Sequence, residues 1–196
     1  MNRLILVLTI GLFACNSATD KQKKTSDKPL ADSVAITDKQ IVPKDCVRGA
    51  AEPIIKKTVY PQTTFVLQPD SLTGIETVTF DNGDMLTIKN WGCEYYVLTF
   101  RFETSRFQQD TTNLDFWFKS ASSLTREVLD GLDAPIDIPK GIDQLVAHVD
   151  NNATLKLRDE IDFGTGDIRS FVSVDRVEKV TDKKYAVEIS FTTGPL

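Results

Sequence analysis

The chain has 196 residues, of which 41% are hydrophobic, 26% charged and 9% aromatic, a composition that excludes collagen-like, low-complexity and wholly disordered readings. Lys and Arg total 23 against 28 Asp and Glu, a net charge of −5. No excess of cations is left to neutralise phosphates, so nucleic acid is not an expected partner.

Arg3 and the apolar run from Leu4 to Ala14, ending at Cys15, have the layout of a secretory signal. The run is short of the roughly 20 apolar residues a transmembrane helix needs, and the residues after it, Asn16 to Lys21, are polar. Residues 1–14 are therefore expected to be a signal peptide that is removed.

Leu12-Phe13-Ala14-Cys15 resembles the lipobox of bacterial lipoproteins, and Leu12, Ala14 and Cys15 match its pattern. The resemblance implies cleavage before Cys15, a lipid on its sulfur, and a membrane anchor that holds the protein in the cell envelope. Asn16, where Asp commonly signals inner-membrane retention, favours the outer membrane, with the protein facing either the periplasm or the surface. If Cys15 carries lipid, Cys46 and Cys93 remain, an even number in an oxidising compartment where pairing is the default. A bond between them closes a loop of about 47 residues, which the chain-entropy account credits with roughly 4 kcal/mol.

From Asn16 to Lys44 the sequence is rich in Lys, Asp, Ser and Thr and carries no aromatic residue. Such a segment cannot bury enough surface to fold. Residues 15–44 are read as the lipidated cysteine and a flexible tether, with a coil reach of roughly 30 Å. With six Lys against four Asp the tether is slightly basic, so the remainder, 45–196, is more acidic than the whole. That remainder is read as one domain, a length that supports a single self-sufficient core.

Within it, Thr63 to Leu67 reads as a short strand between Pro61 and Pro69. Thr77 to Phe80 and Met85 to Lys89 flank Asp81-Asn82-Gly83-Asp84, a hairpin signal, because Asn-Gly tolerates the positive φ of a tight reversal. The stretch Glu94 to Glu103 alternates, with Tyr96, Leu98, Phe100 and Phe102 on one face and Tyr95, Val97, Thr99, Arg101 and Glu103 on the other. One face is core and the other wetter, as in an antiparallel sheet covered on one side. Next, Leu114, Trp117, Phe118, Ala121, Leu124, Val128 and Leu129 recur at helical spacing, with Asp110 or Thr111 to cap the start and Gly131 near the end. Ile142, Leu145, Val146 and Val149 mark a second, shorter helix, with Asp137 as its cap and Pro139 in the first turn. Phe171 to Val180 and Tyr185 to Thr192 form a last hairpin around Thr181-Asp182-Lys183-Lys184. Strands, two helices and strands again predict an α+β fold, a twisted antiparallel sheet with both helices packed on one face.

His148 is the only histidine, so mechanisms that need two imidazoles, and most zinc sites, are excluded by count. It falls near the end of the second predicted helix, where a surface imidazole suits the helix dipole. No Gly-x-Ser-x-Gly elbow, phosphate loop or dinucleotide fingerprint occurs, so no cofactor is expected. Asp159, Glu160, Asp162 and Asp167 surround Gly164 and Gly166, an oxygen-rich set that is a candidate calcium site or else a solvated turn. Trp91, Tyr95 and Arg101 are the candidate recognition patch, as aromatics beside charge are frequent anchors of binding surfaces. The alternative is that Trp91 and Tyr95 cover the disulfide and a sheet edge.

Together these features point to a lipid-anchored envelope protein whose head is a non-catalytic binding module for a protein or small-molecule ligand. An inhibitor or immunity-type protein acting on a basic secreted enzyme is one form of it. A carboxylate-based hydrolase acting on envelope material and a structural component of an envelope assembly are the alternatives.

Overall fold

The computed structural model describes residues 46–151 and 154–196; the signal peptide, the lipobox, Cys15 and the whole tether lie outside the described residues. The strands are β1 (Thr64–Leu67), β2 (Gly74–Thr79), β3 (Met85–Trp91), β4 (Tyr96–Thr104), β5 (Ile161–Asp162), β6 (Arg169–Lys179) and β7 (Tyr185–Gly194), and the helices are α1 (Leu114–Val128) and α2 (Ile138–Asp150). All seven strands join one antiparallel sheet in the order β1-β2-β3-β4-β7-β6-β5. The helices interrupt the chain after β4, and β7 returns to pair with β4 along its length, Phe100 opposite Ile189.

Local chemistry sets the reversals. Gly83 has φ +82° in the β2–β3 turn, a conformation that favours glycine, and the Asn82 side chain accepts from the Asp84 amide at 3.0 Å. In the β6–β7 turn the Thr181 hydroxyl accepts from the Lys184 amide at 3.1 Å. The Asp137 carboxylate caps α2 by accepting from the Lys140 amide at 3.1 Å. α1 departs from expectation, because its cap is Asn113, which accepts from the Phe116 amide at 3.3 Å. Asp110 is committed to a turn of its own, taking the Thr112 amide and hydroxyl at 2.9 and 2.8 Å, so neither it nor Thr111 reaches the first helical amides.

Strand alternation separates two faces. Leu86, Ile88, Leu98, Phe100, Val172, Val187, Ile189 and Phe191 are all 0% exposed and face one way. They belong to one apolar cluster with Trp117, Phe118 and Leu124 of α1 and Ile142 and Leu145 of α2. The other face carries Thr87, Lys89, Trp91, Thr99, Arg101, Ser173 and Glu188 at the alternate positions. Most strand ends differ from the sequence reading by one or two residues, and two strands depart further. β2 begins at Gly74 rather than Thr77, and the two-residue β5 has no counterpart there. Among the described residues no helix is long and apolar enough to cross a membrane.

Candidate binding face of the sheet

Four strands contribute side chains to a hydroxyl row on the outer face. The Trp91 indole Nε1 on β3 donates to Thr99 Oγ1 on β4 at 3.2 Å. Thr99 and the Ser190 hydroxyl on β7 are 2.8 Å apart, and Ser190 in turn donates to Asp175 on β6. Asp175 also takes the Ser173 hydroxyl at 2.6 Å. Two residues after Ser173, it shares that face by alternation, and the β6–β7 register shift between Val174 and Arg176 turns Arg176, opposite Glu188, to the same face. The row floors two adjoining depressions of about 630 Å³ each, which share Trp91, Glu160, Ser173 and Asp175 in their walls.

The rim is aromatic. Trp91 and Tyr95 are both 38% exposed, and Lys89 Nζ stands 4.5 Å from the centre of the Trp91 ring. Tyr95 is not on a strand, because β4 starts at Tyr96. It lies in the β3–β4 loop, which Gly92 bends at φ +113°; a Cβ there would fall 2.0 Å from the Tyr95 carbonyl oxygen. The same loop holds Cys93, bonded to Cys46 with Cα atoms 4.9 Å apart. The expected disulfide is present, and it ties Cys46 to the loop between the two rim aromatics.

Arg101, the third residue of the sequence-derived patch, points to the same face but is enclosed by acids. Its guanidinium contacts Glu103 at 3.1 Å, Glu178 at 2.6 Å and Glu188 at 2.8 Å. Burial alone pulls this group down, but the hydrogen bonds it donates to Glu178, Glu188 and Glu103 outweigh it and hold it above the usual arginine range. Arg101 is thus a cross-strand clamp with its donors already engaged, while Trp91 and Tyr95 remain open to a ligand.

The four acids of the candidate calcium set are not gathered around a cation. Arg169 lies between two of them, with Nε 2.6 Å from Asp162 and Nη1 bonded to Glu160. The hydrogen bonds it donates to Asp162 and Glu160 hold the Arg169 guanidinium above its ordinary value. Asp159 precedes this pair, and Asp167 occupies the bend before β6. Among the described residues no group of three or more His, Cys, Asp or Glu side chains converges as a metal cage would require.

His148 is in the last turn of α2 as expected, but it is half-buried, with Nε2 enclosed and without a hydrogen-bond partner among the described residues. Burial lifts the carboxylate of Glu76, which is 0% exposed, above its ordinary range. Its two oxygens take the amides of Ile54 and Ile55 at 2.7 and 2.9 Å. Ser173, Asp175 and Ser190 were not singled out in the sequence. Ser190 did fall on the face opposite Ile189 and Phe191, and that alternation was the one available signal.

Comparison with known families, characterised proteins and solved structures finds no match to this chain.

Proposed function

We propose that the protein is a bacterial lipoprotein, anchored through lipid on Cys15, whose head is a non-catalytic binding module in the cell envelope. The binding surface in this reading is the outer face of the sheet, with Trp91 and Tyr95 as anchors. In the finer form of the fold, α1 and α2 both cover the opposite face. The Trp117 ring lies 5.5 Å from that of Tyr185 on β7, and a Cβ added at Gly141 of α2 would come within 2.8 Å of the Phe191 ring. With the helices on that side, the row from Trp91 to Asp175 is left as an uncovered floor.

The observation that carries the reading is the pair of rings, each 38% exposed, at the rim of a polar depression. Large half-open aromatics contribute apolar contact with little conformational entropy to lose, while an ordered hydroxyl floor supplies direction. The disulfide supports the same use, since it limits the motion of the loop that carries Tyr95. Envelope placement rests on the lipobox resemblance and on an oxidised cysteine pair, which an oxidising compartment favours.

The test uses the full-length chain in the cells that produce it. Crosslinking and purification should capture a partner with the wild type and lose it with the Trp91→Ala, Tyr95→Ala double variant, whose circular dichroism should be unchanged. Equal capture by both removes the face from consideration. Intact-mass measurement of the native protein should show a lipid-modified Cys15 as first residue; an unprocessed leader would overturn the anchor.

A further inference from the structure

The side of β3 that faces away from the Trp91 depression holds a second cavity. Asn90 and Trp91 are successive residues of one strand, so they point to opposite faces. Beside Asn90 lies Arg48, only 7% exposed. Arg48 Nη2 donates to the Asn90 side-chain oxygen, and its guanidinium carbon is 4.4 Å from the centre of the Tyr96 ring. Its Nη1 is enclosed and has no hydrogen-bond partner. Among the described residues no carboxylate pairs with it.

This arrangement is costly as it stands. A guanidinium cannot shed its proton in a protein, and burial without a counter-charge forfeits hydration that a neutral amide and a ring restore only in part. Burial duly pulls the Arg48 guanidinium below its ordinary value. A side chain with a long flexible stem would ordinarily reach solvent. Here it is held inside by Asn90, itself 1% exposed and tied by its amide to the Glu52 carbonyl at 2.9 Å.

Arg48, Asn90 and Tyr96 are the inner walls of a cavity of about 500 Å³, whose exposed walls include Glu52 and Asp133. Among the described residues, the charged side chains that border this space are therefore one buried cation and two exposed carboxylates. A simple anion would meet Arg48 but pass the two acids, and a simple cation would meet the acids but face Arg48. A ligand with both charges satisfies all three.

We propose that this cavity binds a small zwitterion, a free amino acid or very short peptide, with its carboxylate on Arg48 and its ammonium toward Glu52 and Asp133. The Tyr96 ring backs the guanidinium, and Asn90 fixes its orientation. The site is separate from the face that carries Trp91 and Tyr95, so either assignment stands or falls without the other.

The full chain is titrated by calorimetry, and its thermal midpoint followed, with L-alanine, D-alanine and di-alanine. Propionate and ethylamine serve as the halves of the same molecule. At least one zwitterion should saturate the protein and raise its midpoint, with each half binding roughly tenfold or more weakly, the loss expected when one charged contact is missing. Arg48→Gln should abolish saturable binding. Asp133→Asn, at an exposed position, should weaken the zwitterion and leave propionate no weaker; it carries the test if Arg48→Gln fails to fold. No saturation by any of the three zwitterions overturns the proposal. Propionate binding as well as alanine overturns it too, as does an Arg48→Gln protein that folds and binds like the wild type.

Discussion

On the core side of β2, Glu76 is 0% exposed and its oxygens rest on two backbone amides, at 2.7 and 2.9 Å. On the outer side of β4, Arg101 has a side chain 23% exposed and is held by three carboxylates at 2.6 to 3.1 Å. At Glu76, where water is excluded, fixed backbone dipoles face the carboxyl group, and at Arg101, where water remains, opposite charges do. The difference follows from solvation. Enclosing an ion pair costs the hydration of both partners, a penalty that backbone amides already committed to the fold do not add to. On a half-wet face the pair keeps part of its hydration, so several long charged side chains can be gathered cheaply.

The largest expected effect breaks the core side of this contrast. Glu76→Ala leaves the Ile54 and Ile55 amides without acceptors. A buried donor left unpaired costs about 1–3 kcal/mol, so urea unfolding should show a loss of roughly 2–5 kcal/mol. Glu76→Gln keeps one acceptor oxygen and should lose about half of that. A loss from Glu76→Ala within about 0.5 kcal/mol, the range of inert surface changes, would mean that the amides find other partners. The pH dependence sharpens the point. Burial raises Glu76 above its ordinary value of 4.5 in spite of the two amides, so the folded protein holds this proton more tightly than the unfolded chain. Its contribution to stability is present below that ordinary value and declines as pH rises toward the raised one. The wild type should thus lose stability relative to Glu76→Gln as pH increases from 4 through the weakly acidic range. A relative gain would show that the amide bonds outweigh burial.

The outer side should respond less and differently. Arg101→Met removes the cation that Glu103, Glu178 and Glu188 share, leaving three carboxylates on neighbouring strands with Arg176 at 3.5 Å from Glu178 and 3.9 Å from Glu188 as partial compensation. Because the cluster is part-solvated, the expected loss at low salt is about 1–2 kcal/mol, between the values for exposed and enclosed pairs. It should shrink in about 1 M salt, where the screening length is near 3 Å. The Glu76→Ala loss should hardly change with salt. If the two losses respond alike, the two faces do not handle charge differently.

The sequence made some of this readable and hid the rest for a physical reason. The Asn82-Gly83 turn, the alternation along β4, the Asp137 cap and the cysteine pairing rest on neighbours in sequence or on simple counting, and each is present in the fold. Glu76 was outside the predicted strand because Gly74 and a glutamate argue against a buried β position, and its amides come from a segment 21 and 22 residues earlier. Arg101 looked like a free recognition cation because two of its acids lie 77 and 87 residues away. Asp175 falls on the face of Ser173 by alternation, but its partner Ser190 lies 15 residues away on β7, a pairing that alternation does not give. The Asn113 cap of α1 was missed at shorter range, since Asp110 spends its carboxylate on Thr112.

A fully wet pair sets the lower end of the scale. Lys119 and Asp115 are 3.0 Å apart at i,i+4 spacing on α1, with side chains 52% and 59% exposed. A double-mutant cycle of Asp115→Asn and Lys119→Gln should give a coupling of about 0.3–0.5 kcal/mol that salt removes. The single changes should not be equal. Asp115 lies in the first turn of α1, where a negative charge also meets the positive end of the helix dipole, so Asp115→Asn should cost more than Lys119→Gln. A coupling above about 1 kcal/mol would exceed what exposed pairs supply. Exposure would then no longer order the charges of this protein, and the large value expected at Glu76 would need a cause other than the exclusion of water.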